Sequence, residues 1–224
     1  MQNERHGLMS DLFDNPAKME RPRETPAFAP TLLRGFALGA EHRILADLDR
    51  IVAIAPFRHM VTPSGYTMSA AMTNCGTAGW VTDRSGYRYD AIDPASGKRW
   101  PRMPAIFLEL AMTAAARAGF EGFVPDACLI NRYEPGTKLS LHQDKDEKDF
   151  AAPVVSVSLG LPARFLFGGL KRSDPCIKVP LDHGDVIVWG GPARLAFHGV
   201  MPLEEGVHAT LGRQRINLTL RKAL

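Results

Sequence analysis

The second half of the chain consists of short runs of alternating apolar and polar residues, separated by Gly, Pro and Asp. From this pattern we predict strands over residues 127–133, 153–160, 163–168, 176–181, 185–190, 194–199 and 215–221. Many short strands with such punctuation are typical of a sandwich or a barrel. A chain of 224 residues that is 45% hydrophobic can bury one substantial core, so we expect a single globular domain.

Two segments upstream of these strands carry the pattern of helices. In residues 41–54 the apolar side chains fall at helical spacing, namely Leu45, Leu48, Ile51 and Val52. A second helix is predicted over residues 104–118, ending at Gly119, where a glycine commonly closes a helix. Both helices should pack on the outside of a sheet. The predicted fold class is therefore mainly β with flanking helices, an α+β arrangement.

The last predicted strand has a polar face that begins and ends with arginine. Because side chains alternate along a strand, one face carries Arg215, Asn217, Thr219 and Arg221, and the other carries Ile216, Leu218 and Leu220. A strand on the surface would also have one polar face. Arginine at both ends over an apolar back is better explained by a lined cavity, in which a guanidinium group binds a carboxylate.

Three further residues have the composition of a metal site. In an extended segment His142 and Asp144 point to the same side, and His198 lies downstream. Two imidazoles and one carboxylate form the facial triad of non-haem Fe(II) oxygenases. Taken alone, His142 and Asp144 could be solvated neighbours, and His198 could be a hydrogen-bonded core histidine. Their order relative to the arginine-flanked strand favours an iron site with an organic acid as cosubstrate.

Several longer segments carry a resemblance to a known family. They are residues 60–68, 71–76, 126–133, 138–147, 154–160 and 167–172. On these segments the chain resembles the AlkB family of Fe(II)- and 2-oxoglutarate-dependent dealkylating dioxygenases, in order from about residue 11 to 221. The resemblance implies a double-stranded β-helix, a jelly-roll or cupin-like core, at about 126–224. It also implies a nucleotide-recognition lid at about 58–100. We expect one catalytic domain over 13–224, preceded by a flexible tail over 1–12.

The resemblance also assigns roles to individual residues. Fe(II) would be bound by His142, Asp144 and His198, and Arg221 would complete the catalytic group beside Asp144. The residues expected to hold 2-oxoglutarate are Leu129, Asn131, Arg132, Tyr133, Arg215, Asn217 and Arg221, with Arg215 on the far carboxylate. Leu129, Asn131 and Tyr133 share one face of their strand. Asn131 and Tyr133 could each also be buried polar residues bonded to one another, but two inward arginines without an anion would be costly.

Residues 58–100 are the least regular part of the sequence and interleave aromatic with basic residues. An aromatic platform beside cationic groups suits single-stranded nucleic acid, although a hydrophobic cluster within a long loop is an equal alternative on composition. The resemblance favours the lid, with Trp80 stacked on the target base and Tyr87, Arg88 and Tyr89 on the backbone. It also assigns substrate contacts to Asp146 and Arg172, which would otherwise be ordinary surface charges.

The implied activity is oxidative removal of alkyl groups from bases such as 1-methyladenine and 3-methylcytosine. It would use Fe(II), 2-oxoglutarate and O2, and release formaldehyde and succinate. The expected partner is single-stranded DNA, with duplex DNA and RNA as alternatives, and a formal charge of +3 permits nucleic acid without requiring it. Two other interpretations are a demethylase of tRNA or protein and a non-catalytic binder of alkylated nucleic acid.

The cysteines and the apolar segments bear on where the protein works. The three cysteines are odd in number and form no CxxC pair, which argues against a disulfide framework or a zinc site and fits a reducing cytoplasm. No run approaches the roughly 18 apolar residues of a membrane span, and the N-terminus has no signal-peptide core. We therefore expect a cytoplasmic monomer with no membrane partner.

Overall fold

The structure is a computed structural model that describes residues 28–224. The predicted tail at 1–12 and the first part of the predicted domain therefore lie outside the described residues. Within the described range the α-helices are α1 (Glu41–Ile54) and α2 (Ala105–Arg117), as the helical spacing predicts. The residue Gly119 follows α2 with a φ of 89°, the left-handed conformation that favours glycine at a helix end. None of the described helices is both long and apolar enough to cross a membrane.

Short strands account for most of the remaining regular structure. They are β1 (Thr31–Leu33), β2 (Arg58–Val61), β3 (Thr67–Gly76), β4 (Gly79–Asp83), β5 (Gly86–Asp90), β6 (Ala127–Tyr133), β7 (Leu139–His142), β8 (Val154–Gly160), β9 (Ala163–Phe167), β10 (Ile177–Leu181), β11 (Val186–Trp189), β12 (His198–Val200) and β13 (Arg215–Arg221).

These strands form two facing sheets and one separate hairpin. The major sheet has the order β1-β11-β8-β13-β6-β3-β2, and the minor sheet has the order β10-β9-β12-β7. The hairpin pairs β4 with β5. All strand pairs are antiparallel. Two facing antiparallel sheets with two flanking helices form a jelly-roll architecture, so the predicted mainly β fold class is confirmed.

The two faces of the major sheet bury different sets of side chains. On β13, Ile216, Leu218 and Leu220 join the apolar cluster formed with α1 and α2. On the neighbouring strand β6, Leu129 and Tyr133 belong instead to a second apolar cluster shared with the minor sheet. The helices thus cover one face of the major sheet, and the other face is turned toward the minor sheet. The alternation predicted for both strands is confirmed, and it places Asn131 of β6 and the polar face of β13 between the two sheets.

Two parts of the predicted strand pattern are wrong. The predicted strand at 194–199 begins only at His198, because residues 191–193 form a 3-10 turn. Backbone bonds from Arg194 to Gly191 and from Ala196 to Ala193 continue the turn up to β12. Residues 58–100 are also more regular than expected, since they contain β2, β3, β4 and β5. Alternating aromatic residues in 86–90 are an ordinary strand signal, but Gly, Ser and Pro around them obscure it.

Candidate active site

The three predicted metal ligands converge at one end of the minor sheet. His142 is the last residue of β7 and His198 the first of β12, and the pairing of these strands places the two histidines opposite each other. Asp144 follows two residues after His142. One ligand atom from each residue lies within 4.8 Å of the others. The Nε2 atoms of His142 and His198 are 3.6 and 3.7 Å from the Asp144 carboxylate oxygens. Ligand atoms on adjacent positions of an octahedral metal are about 3 Å apart, so the donor set fits a single ion after a small contraction.

Backbone carbonyls fix which imidazole nitrogen faces the site. The Nδ1 atom of His142 is 2.9 Å from the Ser140 carbonyl oxygen, and that of His198 is 2.9 Å from the Ala196 carbonyl oxygen. A carbonyl only accepts hydrogen bonds, so both Nδ1 atoms carry the proton and donate. Both Nε2 lone pairs are therefore directed at Asp144, where a metal would bind. This is how a second hydrogen bond usually orients a histidine ligand.

The electrostatics of the site keep the ligands in the protonation states that a metal requires. Burial lowers the pKa of His198 to about 4, and His142 nearby adds to the effect, so this imidazole is neutral at pH 7. Burial alone would raise the pKa of Asp144, but Arg221 and the two histidines outweigh it and hold the pKa well below its ordinary value. The Arg221 Nε and Nη2 atoms lie 2.9 and 2.8 Å from Asp144 Oδ2. Asp144 is thus an ionised ligand that Arg221 holds in place.

A buried arginine without an anion lies deeper between the sheets. Arg215 is 1% exposed, and its guanidinium carbon is 5.1 Å from the centre of the Tyr133 ring. Its Nε donates to Ser158 Oγ at 2.9 Å. The Arg215 Nη1, Tyr133 hydroxyl and Asn131 Oδ1 atoms are buried without a hydrogen-bond partner. A buried cation in this state is unfavourable, and a ligand carboxylate would satisfy Arg215 and Tyr133 together. The residues present therefore fit 2-oxoglutarate.

The remaining predicted cosubstrate residues divide into two groups. Leu129, Asn131 and Arg221 line the same cavity as the metal ligands. Asn217 pairs with Asn131 across β13 and β6, but its own amide is already satisfied. It donates to Ser156 Oγ at 2.7 Å and accepts from Thr219 Oγ1 at 3.0 Å. Asn217 therefore supports the floor of the site, where its amide nitrogen and its amide oxygen both already have protein partners.

The side chain of Arg132 lies away from this site, so the structure does not support its predicted role as a 2-oxoglutarate residue. It lies between Asn131 and Tyr133 on β6, so its side chain points to the opposite face of the sheet. There its guanidinium carbon is 5.1 Å from the centre of the Phe57 ring. It lines a separate groove beside α1, together with Gln214.

His142 and Asp144 line a cavity of about 490 Å³ that extends to the hairpin β4–β5. Trp80 and Tyr87 from the hairpin line it, with their ring centres 5.8 Å apart and their planes 22° from parallel. The Trp80 Nε1 donates to Asp146 Oδ2 at 2.7 Å, which fixes the indole beside the metal loop. Asp146 and Arg172 also line the cavity. The structure thus brings four of the predicted substrate residues together with the metal ligands.

The other two predicted substrate residues, Arg88 and Tyr89, have protein partners. The Arg88 Nη2 donates to Asp83 at 2.9 Å, and its Nε is 3.5 Å from Asp90. The hydroxyl of Tyr89 donates to Glu147 at 2.7 Å. Neither residue lines the cavity, so the structure offers no direct support for their predicted contact with a nucleic-acid backbone.

Sequence reasoning missed four residues that shape the site. Ser156 and Ser158 on β8 bond to Asn217 and Arg215. Their alternation within an otherwise apolar strand was a usable signal. The other two are Glu147 and Arg194, an ion pair at 3.2 Å whose side chains are 2% and 3% exposed. Nothing in the sequence distinguishes Glu147 from the charged residues around it, because its partner is 47 positions away.

Comparisons with known proteins agree with this geometry. The sequence matches the 2OG-Fe(II) oxygenase superfamily over residues 30–221. It is 55% identical over 215 residues to the alpha-ketoglutarate-dependent dioxygenase AlkB of Escherichia coli (strain K12), covering 96% of this chain and 98% of that protein. It is 32% identical over 174 residues to the DNA N(6)-methyladenine demethylase ALKBH1C of Arabidopsis thaliana, covering 66% of this chain and 38% of that protein. A solved structure of OsALKBH1 shares its fold, with a TM-score of 0.75, 29% identity, and coverage of 86% of this chain and 96% of that chain.

Proposed function

Since this chain belongs to the AlkB family of Fe(II)- and 2-oxoglutarate-dependent dioxygenases, we propose that it removes alkyl groups oxidatively from damaged bases in nucleic acid. The proposed substrates are N-alkylated bases such as 1-methyladenine and 3-methylcytosine. Single-stranded DNA is the proposed carrier, with RNA as the second. The proposed reaction reverses the damage directly, without excision of the base.

One observation carries this proposal. His142 and Asp144, two of the three metal ligands, line the same cavity as the stacked pair Trp80 and Tyr87, and His198 completes the triad behind them. Aromatic side chains that stack on bases are a general device for holding single-stranded nucleic acid. A site that combines an oxidising metal centre with a stacking platform suits oxidation of a base better than oxidation of a protein side chain.

The charge of the cavity favours an alkylated base. Alkylation at N1 of adenine or N3 of cytosine makes the ring cationic, and the Asp146 carboxylate faces the same cavity. Asp146 already accepts one hydrogen bond from Trp80, and a carboxylate has further lone pairs for the exocyclic amino group of a base. A base could reach this position only after leaving its stack or from a single strand. We propose that Arg172, at the cavity wall, contacts the backbone of the strand.

Each group of protein residues has a separate part in the reaction. Fe(II) with 2-oxoglutarate and O2 would supply the hydroxylation of the N-methyl carbon, with release of succinate and CO2, after which the hydroxymethyl group leaves as formaldehyde and the free base remains. His142, Asp144 and His198 would hold the metal, and Arg221 keeps the Asp144 carboxylate ionised and oriented. Arg215, with Tyr133, would bind the far carboxylate of 2-oxoglutarate. A neutral His198 imidazole and an ionised Asp144 carboxylate require no proton movement when the metal binds.

The proposed function can be tested with metal-loaded protein, 2-oxoglutarate and short single strands bearing one 1-methyladenine or 3-methylcytosine. We expect stoichiometric formaldehyde and unmodified base, measured by derivatisation and mass spectrometry, on DNA and at a lower rate on RNA. The unalkylated strand and the His142→Ala variant are the controls. Protein that binds 2-oxoglutarate and alkylated strands but releases no formaldehyde would instead be a binder of damaged nucleic acid.

We further propose that the protein acts as a monomer in the cytoplasm. Each element of the site comes from one chain, so a partner subunit is not needed to complete it. Light scattering on the metal-loaded protein should give the mass of a single chain, both with and without a bound strand.

A further inference from the structure

Glu147 occupies a position that the proposed reaction leaves unexplained. Its side chain is 2% exposed, although it follows Asp144 by only three residues on the same loop. Its Oε2 is 3.2 Å from the Arg194 guanidinium, and its Oε1 is 3.3 Å from Arg221 Nε. An ionised carboxylate is buried at this depth only where cations and hydrogen-bond donors compensate it.

The buried charge of Glu147 is compensated within a group of four charged side chains, namely Glu147, Asp144, Arg194 and Arg221. Arg221 binds both Asp144 and Glu147. Arg194 pairs with Glu147 through Nη2, and its Nη1 donates to the backbone carbonyl of Asp144 at 2.9 Å. The negative charges of the two carboxylates are therefore balanced by the positive charges of the two guanidinium groups around Asp144. Glu147 thus holds both arginines that contact Asp144: Arg221, which binds the Asp144 side chain, and Arg194, which binds the Asp144 backbone.

The same carboxylate also reaches the hairpin. Its Oε1 accepts a hydrogen bond from the Tyr89 hydroxyl at 2.7 Å, and that hydroxyl is 3.4 Å from Arg221 Nη1. Burial raises the pKa of Tyr89 well above its ordinary value, so the phenol keeps its proton and donates. On the hairpin, Tyr89 lies directly opposite Trp80 in register. A continuous set of contacts therefore joins Trp80, where the base would stack, to Asp144, which would bind the metal.

We propose that Glu147 is a positioning residue that aligns the hairpin β4–β5 with the metal ligand Asp144. Through Tyr89 it sets the position of the stacking surface, and through Arg221 it sets the orientation of the Asp144 carboxylate. The inference rests on the proposed function, because it assumes that the hairpin holds the base. Glu147 itself belongs neither to the cavity lining nor to the metal-ligand group, so its effect on the reaction is indirect.

Two conservative variants separate the two connections. Tyr89→Phe removes only the hydroxyl and leaves the four charges intact. We expect it to raise the KM for an alkylated single strand roughly tenfold, because loss of one hydrogen bond to a charged acceptor has an effect of about that size. Its kcat and its Kd for 2-oxoglutarate should stay within about twofold of the parent values. Glu147→Gln keeps the shape but leaves the two arginines with excess charge, so it should raise the same KM and in addition lower kcat roughly tenfold.

The double variant and a matched control make the test decisive. If both residues act through one connection, the KM of Tyr89→Phe/Glu147→Gln should be no higher than that of the weaker-binding single variant. Glu204→Gln removes a carboxylate that is 74% exposed and pairs with Arg164, and it should change neither constant. A purely structural Glu147 would lower the melting temperature and all rates together, with no rise in KM for Tyr89→Phe.

The outcomes distinguish this inference from the proposed function. If the parent protein releases no formaldehyde from any alkylated strand, the proposed function fails. If the parent protein is active but Tyr89→Phe has a KM within twofold of it, or the KM effects of the two substitutions multiply, the positioning role of Glu147 is refuted. Should Glu147→Gln not fold, Tyr89→Phe alone still decides the result.

Discussion

Replacement of Arg215 by methionine should stabilise the protein in the absence of cosubstrate and, at the same time, remove most of its stabilisation by 2-oxoglutarate. The Arg215 side chain is 1% exposed, and its Nη1 has no hydrogen-bond partner. Burial lowers the pKa of Arg215, so the fold itself disfavours the charged form of this side chain. Methionine keeps an unbranched stem and brings no charge to be compensated.

The expected magnitudes follow from the contacts of Arg215. An unsatisfied buried polar group costs about 1–3 kcal/mol, and 1 kcal/mol corresponds to about 2–4 °C in Tm for a domain of this size. Removal of the guanidinium should therefore raise the Tm of the ligand-free protein by about 2–12 °C. At 100 times its Kd, 2-oxoglutarate should add about 2.7 kcal/mol to the parent protein. Loss of a buried ion pair with the ligand costs about 2–5 kcal/mol, so Arg215→Met should gain less than about 1 kcal/mol at that concentration.

Differential scanning fluorimetry with and without 2-oxoglutarate measures both effects in one experiment. Arg164→Met is the matched control, because that arginine is 57% exposed and pairs with Glu204 on the surface. It should leave the 2-oxoglutarate shift intact. The reasoning is refuted if Arg215→Met melts several degrees below the parent protein without ligand, or if it shows the same shift with 2-oxoglutarate as the parent.

The remaining predictions concern the metal ligands and the base site. His142→Ala should abolish formaldehyde release but retain strand binding within a fewfold by fluorescence anisotropy, and equal loss of both would contradict the division between metal and lid. Trp80→Ala should weaken strand binding by roughly 10- to 100-fold, because base stacking contributes about 1–3 kcal/mol, with metal binding unchanged by calorimetry. Asp146→Asn should weaken binding of a 1-methyladenine strand more than that of its unmethylated counterpart; equal weakening of both would argue against a charge contact. His198 has a pKa of about 4 in the fold against an ordinary value of 6.5, so the unfolded chain binds more protons between these two pH values. The metal-free protein should therefore lose stability as the pH falls from 6.5 to 4. The Tm of His198→Gln should fall less over this range, and an equal fall of Tm in the two proteins would contradict the low pKa of His198.

The site residues that sequence alone could predict are those governed by strand alternation. β6 and β13 are buried on both faces, so each residue has to face either the helices or the minor sheet, and the period of two decides which. The same rule would have excluded Arg132, which lies between Asn131 and Tyr133. Its inclusion came from the resemblance of the whole segment, and segment similarity does not distinguish the two faces of a strand.

Strand alternation could not predict the ion pairs around Asp144, because these pairs depend on which strands become neighbours in the sheet. Glu147 lies in a loop rich in acidic and basic residues, Arg194 in a turn, and Arg221 at the end of β13. No local period relates these positions. They meet only because β12 pairs with β7 and thereby brings His198 opposite His142, which draws the turn before β12 against the loop after β7. The pairing of two short strands, β7 and β12, therefore determines whether the site assembles. His142, Asp144 and His198 form a metal site only if that pairing forms, and an alteration that shifts its register by one residue should eliminate metal binding with every ligand still present.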